Sequence, residues 1–127
     1  MAVAASRALP DTVTDELRTR YRRLRVMLHT AGLAATYAYI AAKAGEQDKL
    51  AGAYREARNG IVTRLSAAGL LADDAVGARA VLDRLGTMKP AEYARASAEV
   101  AAFVSWLSRL ADAEWQESDD RARPASS

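Results

Sequence analysis

The stretch Arg18–Gly45, RTRYRRLRVMLHTAGLAATYAYIAAKAG, begins as a run of arginines and continues as an apolar, alanine-rich segment. On a helix that turns about 100° per residue, the beginning of this stretch carries an apolar stripe, and the arginines stand beside and opposite it. The stripe consists of Leu17, Tyr21, Leu24 and Leu28. One side of the helix must therefore be buried in a core, while the other sides present cations to the surroundings.

The arginine run is the strongest functional signal in the sequence. Five arginines occupy eight consecutive positions, namely Arg18, Arg20, Arg22, Arg23 and Arg25. A guanidinium group is permanently charged, and its planar fork of donors matches a phosphate group. We therefore expect these five arginines, together with Lys43, to bind a nucleic-acid backbone. The alternative is that they form ion pairs with Asp and Glu elsewhere in the fold.

Length and composition favour a single helical domain. The chain has 127 residues, which is enough for one modest core, and 30 of them are alanine. Aromatic residues make up 6% and prolines number three, so helix is favoured over sheet throughout. We predict an all-α, single-domain bundle of about five helices without a sheet. Its ordered core is expected at about 11–117, with flexible ends at 1–10 and 118–127.

The first two apolar stripes lie before Gly45. Asp11, Thr12 or Thr14 is positioned to cap the first helix, which is expected to end near Thr30. A second apolar face follows and ends at Gly45, where a glycine stops the helix. The pattern leaves open whether this region is one bent helix or two.

The middle of the chain predicts one long and one short helix. From Glu46 the apolar stripe stays in phase through Gly60, which favours a single helix that ends near Gly69. Asp73 or Asp74 is then expected to cap a short helix.

A last long helix is predicted to begin at Pro90, because proline at the first helical position has no N–H that would remain unpaired. Trp106 and Trp115 fall at the edges of its apolar face. They are expected at the rim of the core or at a contact with a neighbouring protein.

The charge is unevenly distributed along the chain. The net charge is +2, but residues 1–60 contain 10 basic and 6 acidic side chains, whereas residues 61–127 contain 8 and 10. Most of the acidic excess lies in residues 112–120. We interpret this segment as a solvated tail, with head-to-tail self-association as an alternative.

No catalytic or metal-binding pattern is apparent. The absence of cysteine excludes disulfides, thiolate nucleophiles and cysteine zinc sites, and the single histidine, His29, is expected to be structural. Tyr21, Tyr37 and Tyr39 have helical spacing within apolar stripes, so we expect packing rather than base stacking. We predict no enzyme activity, no metal and no cofactor. The longest apolar run is too short to span a membrane, and the amino terminus does not resemble a signal peptide, so a soluble, cytoplasmic protein is expected.

Two segments together resemble a known family. The segment RVMLHTAGLAATYAYIAAKAG, residues 25–45, and the segment AEYARASAEVAAFVSWLSRLADAE, residues 91–114, resemble blocks of the small subunit of the type III-B CRISPR effector, the Cmr complex. The small subunit of type III-A complexes is a near neighbour. The matched residues are Gly32, Leu33 and Lys43 in the first block, and Tyr93, Arg95, Ser97, Glu99, Trp106, Leu107 and Arg109 in the second.

This resemblance implies a non-enzymatic helical subunit. In that family, copies stack along the inside of a ribonucleoprotein beside the backbone and large subunits, and their basic surface contacts the phosphates of guide or target RNA. The expected partners are therefore RNA, those subunits and neighbouring copies of the chain. Two other interpretations are a small helical DNA-binding regulator and a purely structural helical adaptor.

Overall fold

The computed structural model describes residues 1–72, 74 and 77–122, and within this part the chain forms six helices and no strand. The predicted all-α class is confirmed, but the expected number of about five helices is wrong. The helices are α1 (Ala2–Ala8), α2 (Asp15–Ala31), α3 (Leu33–Ala44), α4 (Ala51–Ala67), α5 (Ala78–Thr87) and α6 (Pro90–Ala122). Helix α6 contacts α1, α2, α3 and α4 and forms the centre of the bundle.

Helix α1 is the helix that the sequence analysis missed. It lies against α4 and α6, and its Ala5 and Ala8 are buried. The segment contains only small residues at its buried positions, so it has no stripe of large apolar side chains that would reveal a helical period. Alanine nevertheless has the highest helix propensity and allows close packing, which explains a short helix here.

Gly32 separates α2 from α3 and answers the question that the sequence left open. Its φ of 92° lies in the left-handed region that favours glycine, and its N–H donates to the carbonyl of Met27 at 3.3 Å. The first turn of α3 is attached to α6, because the Ala34 N–H donates to the Tyr93 hydroxyl oxygen at 3.1 Å. The stretch Arg18–Gly45 therefore folds as two helices with a fixed junction.

Helix α4 runs through Gly60, as the phase of its stripe predicted, but it begins at Ala51 rather than near Glu46. Gly60 has a packing role. A Cβ atom at this position would lie 2.9 Å from Cε2 and 3.0 Å from Cε1 of Phe103, a fully buried residue of α6. The missing side chain thus allows α4 and α6 to approach closely.

Helix α4 ends in a Schellman motif, in which the Leu70 N–H donates to the Leu65 carbonyl at 2.9 Å and Gly69 has a φ of 74°.

Helix α5 begins after Gly77, so Asp74 does not cap it, and the alternative cap Asp73 lies outside the described residues. Helix α6 begins at Pro90 as predicted. Glu92 stabilises its first turn by accepting hydrogen bonds from the backbone N–H of Lys89 at 3.0 Å and from Arg84 Nη2 at 2.9 Å. The helix continues through residues 118–122, where a flexible end was expected, and residues 123–127 lie outside the described part.

The core surrounds the inner face of α6. The α6 residues that are 0% exposed are Ala96, Val100, Phe103, Val104, Leu107, Ser108 and Ala111. Leu17, Tyr21 and Leu24 of the predicted α2 stripe are buried, whereas Leu28 is half-buried at its end. The buried stripe of α2 fixes the rotation of this helix about its axis. It therefore determines which way each arginine points.

Candidate nucleic-acid interface

The start of α2 is fixed by local contacts. The Thr14 hydroxyl accepts a hydrogen bond from the Leu17 N–H at 3.1 Å, so Thr14 is the cap among the three residues that the sequence offered. Asp15 and Glu16 place negative charge in the first turn, where the helix dipole favours it. The arginines follow directly and divide into two groups according to their surroundings.

Arg18 is held within the bundle. Its Nη2 lies 2.9 Å from Asp15 Oδ1, and its Nε lies 3.7 Å from Asp112 Oδ1 on α6. Its guanidinium carbon also lies 3.9 Å from the centroid of the Trp115 ring, and only 18% of the side chain is exposed. Arg18 therefore links α2 to α6 through one ion pair with Asp112 and a cation–π contact with Trp115. This arrangement matches the alternative of intramolecular pairing.

Arg20 points toward the opposite side of α2, where α3 and α4 supply aromatic side chains. Its Nη2 lies 3.6 Å from Glu16 Oε1, and 25% of its side chain is exposed. The nearby Tyr54 raises the pKa of Arg20, and burial together with the neighbouring Tyr39 raises the pKa of Tyr54 to about 12. The rings of Tyr39 and Tyr54 meet edge to face at 6.2 Å. Arg20 is thus part of a polar cluster at the edge of the core.

Lys43 lies in the same region. Its Nζ is 3.5 Å from Glu46 Oε2 and 5.7 Å from the centroid of the Tyr39 ring, and 28% of its side chain is exposed. Lys49 lies in the loop between α3 and α4, and its Nζ is 2.8 Å from Glu16 Oε2. The predicted contribution of Lys43 to an anion-binding surface is therefore reduced by a carboxylate three residues away.

Arg22, Arg23 and Arg25 are the exposed members of the cluster. Arg22 is 52% exposed, and its Nη2 lies 3.0 Å from Asp112 Oδ1. Arg23 and Arg25 are exposed and have no ion-pair partner within residues 1–72, 74 and 77–122. The predicted cationic surface is therefore narrower than the sequence indicated, because Arg18 and Arg20 belong to the fold.

A groove runs beside Arg25 between α2 and α6. Its volume is about 680 Å³, and Arg25, His29 and Gly32 lie on its α2 side. Small residues of α6 line the opposite side: Ser97, Ala98, Ala101, Ala102 and Ser105. The groove is open to solvent and contains no carboxylate in its lining, so an anionic chain can approach Arg25 along it without meeting a like charge.

Sequence reasoning missed the contribution of α6 to this surface. Asp112 and Trp115 are one turn apart on α6 and contact the arginines of α2. From the sequence, the segment around Asp112 was interpreted as a solvated tail, with head-to-tail self-association as an alternative. Trp115 is half-buried, whereas Trp106 is 37% exposed and has the Arg109 guanidinium 5.7 Å from its ring centroid. The sequence shows that Asp112 and Trp115 are one helical turn apart, but it does not show that α2 packs against them.

Within the described residues, no group of three or more His, Cys, Asp or Glu side chains could hold a metal ion. The same part of the chain contains no helix that is both long and apolar enough to cross a membrane.

Comparison with known proteins identifies the family. Residues 2–114 match the model of the family described as CRISPR-associated protein (Cas_Cmr5). No curated protein and no solved structure matches the chain. The family match includes all six helices up to residue 114 of α6, together with both segments that carry the resemblance in sequence. The chain therefore belongs to the Cas_Cmr5 family and is a small subunit of the type III-B CRISPR (Cmr) effector complex.

Proposed function

We propose that this chain is a non-catalytic subunit that contacts the backbone of guide or target RNA within the effector ribonucleoprotein. Copies stack along the complex beside the backbone and large subunits and support antiviral RNA interference in the cytoplasm. The observation that carries this proposal is the pair of exposed arginines Arg23 and Arg25, which have no ion-pair partner in the described part of the chain. Both project from α2, and the buried stripe of this helix fixes their direction.

The division of the cluster refines the predicted binding set. Arg22, Arg23 and Arg25 are the primary RNA contacts in this proposal, because their side chains are exposed. Arg18, Arg20 and Lys43 contribute less, because their side chains are only 18%, 25% and 28% exposed and each lies beside a carboxylate. Contacts to phosphates position a nucleic acid without reading its sequence. Sequence recognition can therefore rest on pairing with the guide RNA, and a helix with few exposed cations is sufficient for this subunit.

The test compares the double variant Arg23→Ala/Arg25→Ala with the parent. Single-stranded and guide-paired RNAs of unrelated sequence are titrated by fluorescence anisotropy over a range of salt concentrations. We expect weak, salt-sensitive and sequence-indifferent binding by the parent. Loss of two phosphate contacts should reduce the slope of log K against log salt by about 1.4 for single-stranded RNA. The double variant should also protect target RNA less well in the reconstituted complex.

A matched control removes two exposed arginines from other helices. Arg7→Ala/Arg79→Ala changes the net charge by the same amount but leaves α2 intact. If Arg23→Ala/Arg25→Ala binds and protects RNA as well as this control, the proposed contact surface is wrong.

A structural adaptor is the second candidate, because Arg18, Arg20 and Arg22 all lie beside carboxylates of the same chain. Assembly of the complex that is insensitive to high salt, together with absent RNA binding, would favour it. A DNA-binding regulator requires a fixed dimer and a clear preference for one duplex sequence.

A further inference from the structure

Asp112 contacts one arginine that is held within the bundle, Arg18, and one that is exposed, Arg22. One oxygen, Oδ1, lies 3.0 Å from Arg22 Nη2 and 3.7 Å from Arg18 Nε. Asp112 is on α6 and both arginines are on α2, so a single carboxylate reaches across the helix pair. The Asp112 side chain is 35% exposed and is therefore accessible to ions and ligands from solution.

The two arginines depend on Asp112 to different degrees. Arg18 also contacts Asp15 and the ring of Trp115, and it is largely buried. Arg22 has Asp112 as its one ion-pair partner within the described residues, and half of its side chain is exposed. Arg18 can therefore keep its position without Asp112, whereas Arg22 is restrained mainly by this one contact.

A phosphate group that approaches Arg22 meets the Asp112 carboxylate at the same guanidinium. Both anions bind a guanidinium through charge-assisted hydrogen bonds of similar geometry, so they compete for the same N–H groups. The carboxylate also repels a phosphate that comes within the Debye length, about 8 Å at physiological salt. Each effect weakens RNA binding at Arg22, and neither affects Arg23 or Arg25 by direct contact.

We propose that Asp112 is a positioning residue that competes with RNA phosphate for Arg22 and thereby lowers the affinity of the isolated subunit for RNA. This inference rests on the proposed function. An exposed ion pair changes an equilibrium constant by about 1.5-fold to 5-fold, so Asp112 sets a weak affinity rather than abolishing binding. RNA that is already held in place by the other subunits reaches Arg22 more readily, because its phosphates are presented at high local concentration.

The test uses Asp112→Asn, which keeps the shape of the side chain and removes its charge. Glu117→Gln is the matched control, since it removes one exposed acidic charge from the same helix and Glu117 has no ion-pair partner in the described part. Binding of single-stranded oligouridylate is measured by anisotropy over a range of salt concentrations, and circular dichroism verifies that both variants are folded. Asp112→Ser provides a second neutral variant, for which the same direction of change is expected.

We expect Asp112→Asn to bind RNA about 2-fold to 5-fold more tightly than Glu117→Gln at low salt. Its slope of log K against log salt should be steeper by about 0.7, which corresponds to one additional phosphate contact. Most of the gain should disappear when Arg22 is also replaced by alanine, because only the weaker long-range repulsion by Asp112 then remains. A merely structural role of Asp112 would weaken binding and would not depend on Arg22.

The inference is overturned if both neutral variants bind no more tightly than Glu117→Gln, or if the gain persists undiminished without Arg22. In that case the parent can still bind RNA through Arg23 and Arg25, and the proposed function stands. Salt-insensitive or absent RNA binding by the parent overturns both the proposed function and this inference.

Discussion

Replacing Gly60 by alanine is expected to destabilise the protein, although the same change usually stabilises a helix. Alanine is favoured over glycine in a helix interior by about 1 kcal/mol. Here, however, the added Cβ would lie 2.9 Å from Cε2 of Phe103, whose side chain is fully buried in the core. Overpacking of this kind costs about 1–3 kcal/mol. Because the ring is buried and the contact is close, we take the upper part of this range, about 2–3 kcal/mol. After the gain from helix propensity is subtracted, we expect a net loss of about 1–2 kcal/mol in the free energy of unfolding.

The assay is urea denaturation followed by far-ultraviolet circular dichroism, with the free energy of unfolding extrapolated to water. Gly86→Ala is the control, because Gly86 also lies in a helix but a Cβ there has no neighbour within 4 Å. This control should be stabilised by about 0.5–1 kcal/mol. In the Gly60→Ala background, Phe103→Leu should cost less than it does alone, because a smaller side chain relieves the contact.

The reasoning would be refuted if Gly60→Ala stabilised the protein as much as Gly86→Ala. That result would mean that the helices adjust their spacing without loss and that α4 and α6 are not closely packed at Gly60. Additive effects of the Gly60 and Phe103 substitutions would also contradict a direct contact.

Three further substitutions test other parts of the fold. Tyr21→Phe should leave stability unchanged or raise it by up to about 1 kcal/mol, because the Tyr21 hydroxyl is buried without a hydrogen-bond partner in the described part of the chain. Gly32→Ala should lower stability by about 1–2 kcal/mol, since the φ of 92° strains any residue with a Cβ. Glu92→Gln should flatten the pH dependence of stability. Hydrogen bonds from the Lys89 N–H and from Arg84 lower the pKa of Glu92, so the parent gains stability from this group at neutral pH and loses it as the pH falls through the lowered pKa.

Urea denaturation measures the stability of Tyr21→Phe and Gly32→Ala. The same measurement at several pH values between about 3 and 7 gives the pH dependence of Glu92→Gln. A large loss of stability in Tyr21→Phe would mean that the hydroxyl has a partner. An unchanged Gly32→Ala would show that the junction tolerates another backbone conformation. If Glu92→Gln loses stability in acid as steeply as the parent, other carboxylates are responsible.

The larger elements were predictable because their signals are local. The stripe of α4 kept its phase through Gly60, Pro90 began the last helix, and Thr14 was among the caps that the sequence offered for α2. Each of these features depends on residues within a few positions of one another, where periodicity and capping preferences are informative. Helix α1 was not predictable in this way, because its buried contacts are made by small alanines.

The candidate site was only partly predictable because its partners come from a distant part of the chain. The arginine run indicated a cationic surface, and Arg23 and Arg25 remain exposed as expected. Arg18 and Arg22 instead meet Asp112, which lies 90 positions from Arg22. A sequence pattern gives the face of one helix but not the helix that covers it, so the division between structural and available arginines required the packing of α2 against α6.

The attachment of the α2–α3 junction to Tyr93 limits how the subunit can move. A single glycine between two helices often serves as a hinge, but here the first turn of α3 is hydrogen-bonded to α6, the helix that α2 also contacts. The arginines of α2 therefore keep constant positions relative to α3 and α6. If the chain contacts RNA as proposed, we expect adaptation to a bent RNA to come from rotation of whole subunits against one another, not from bending within one.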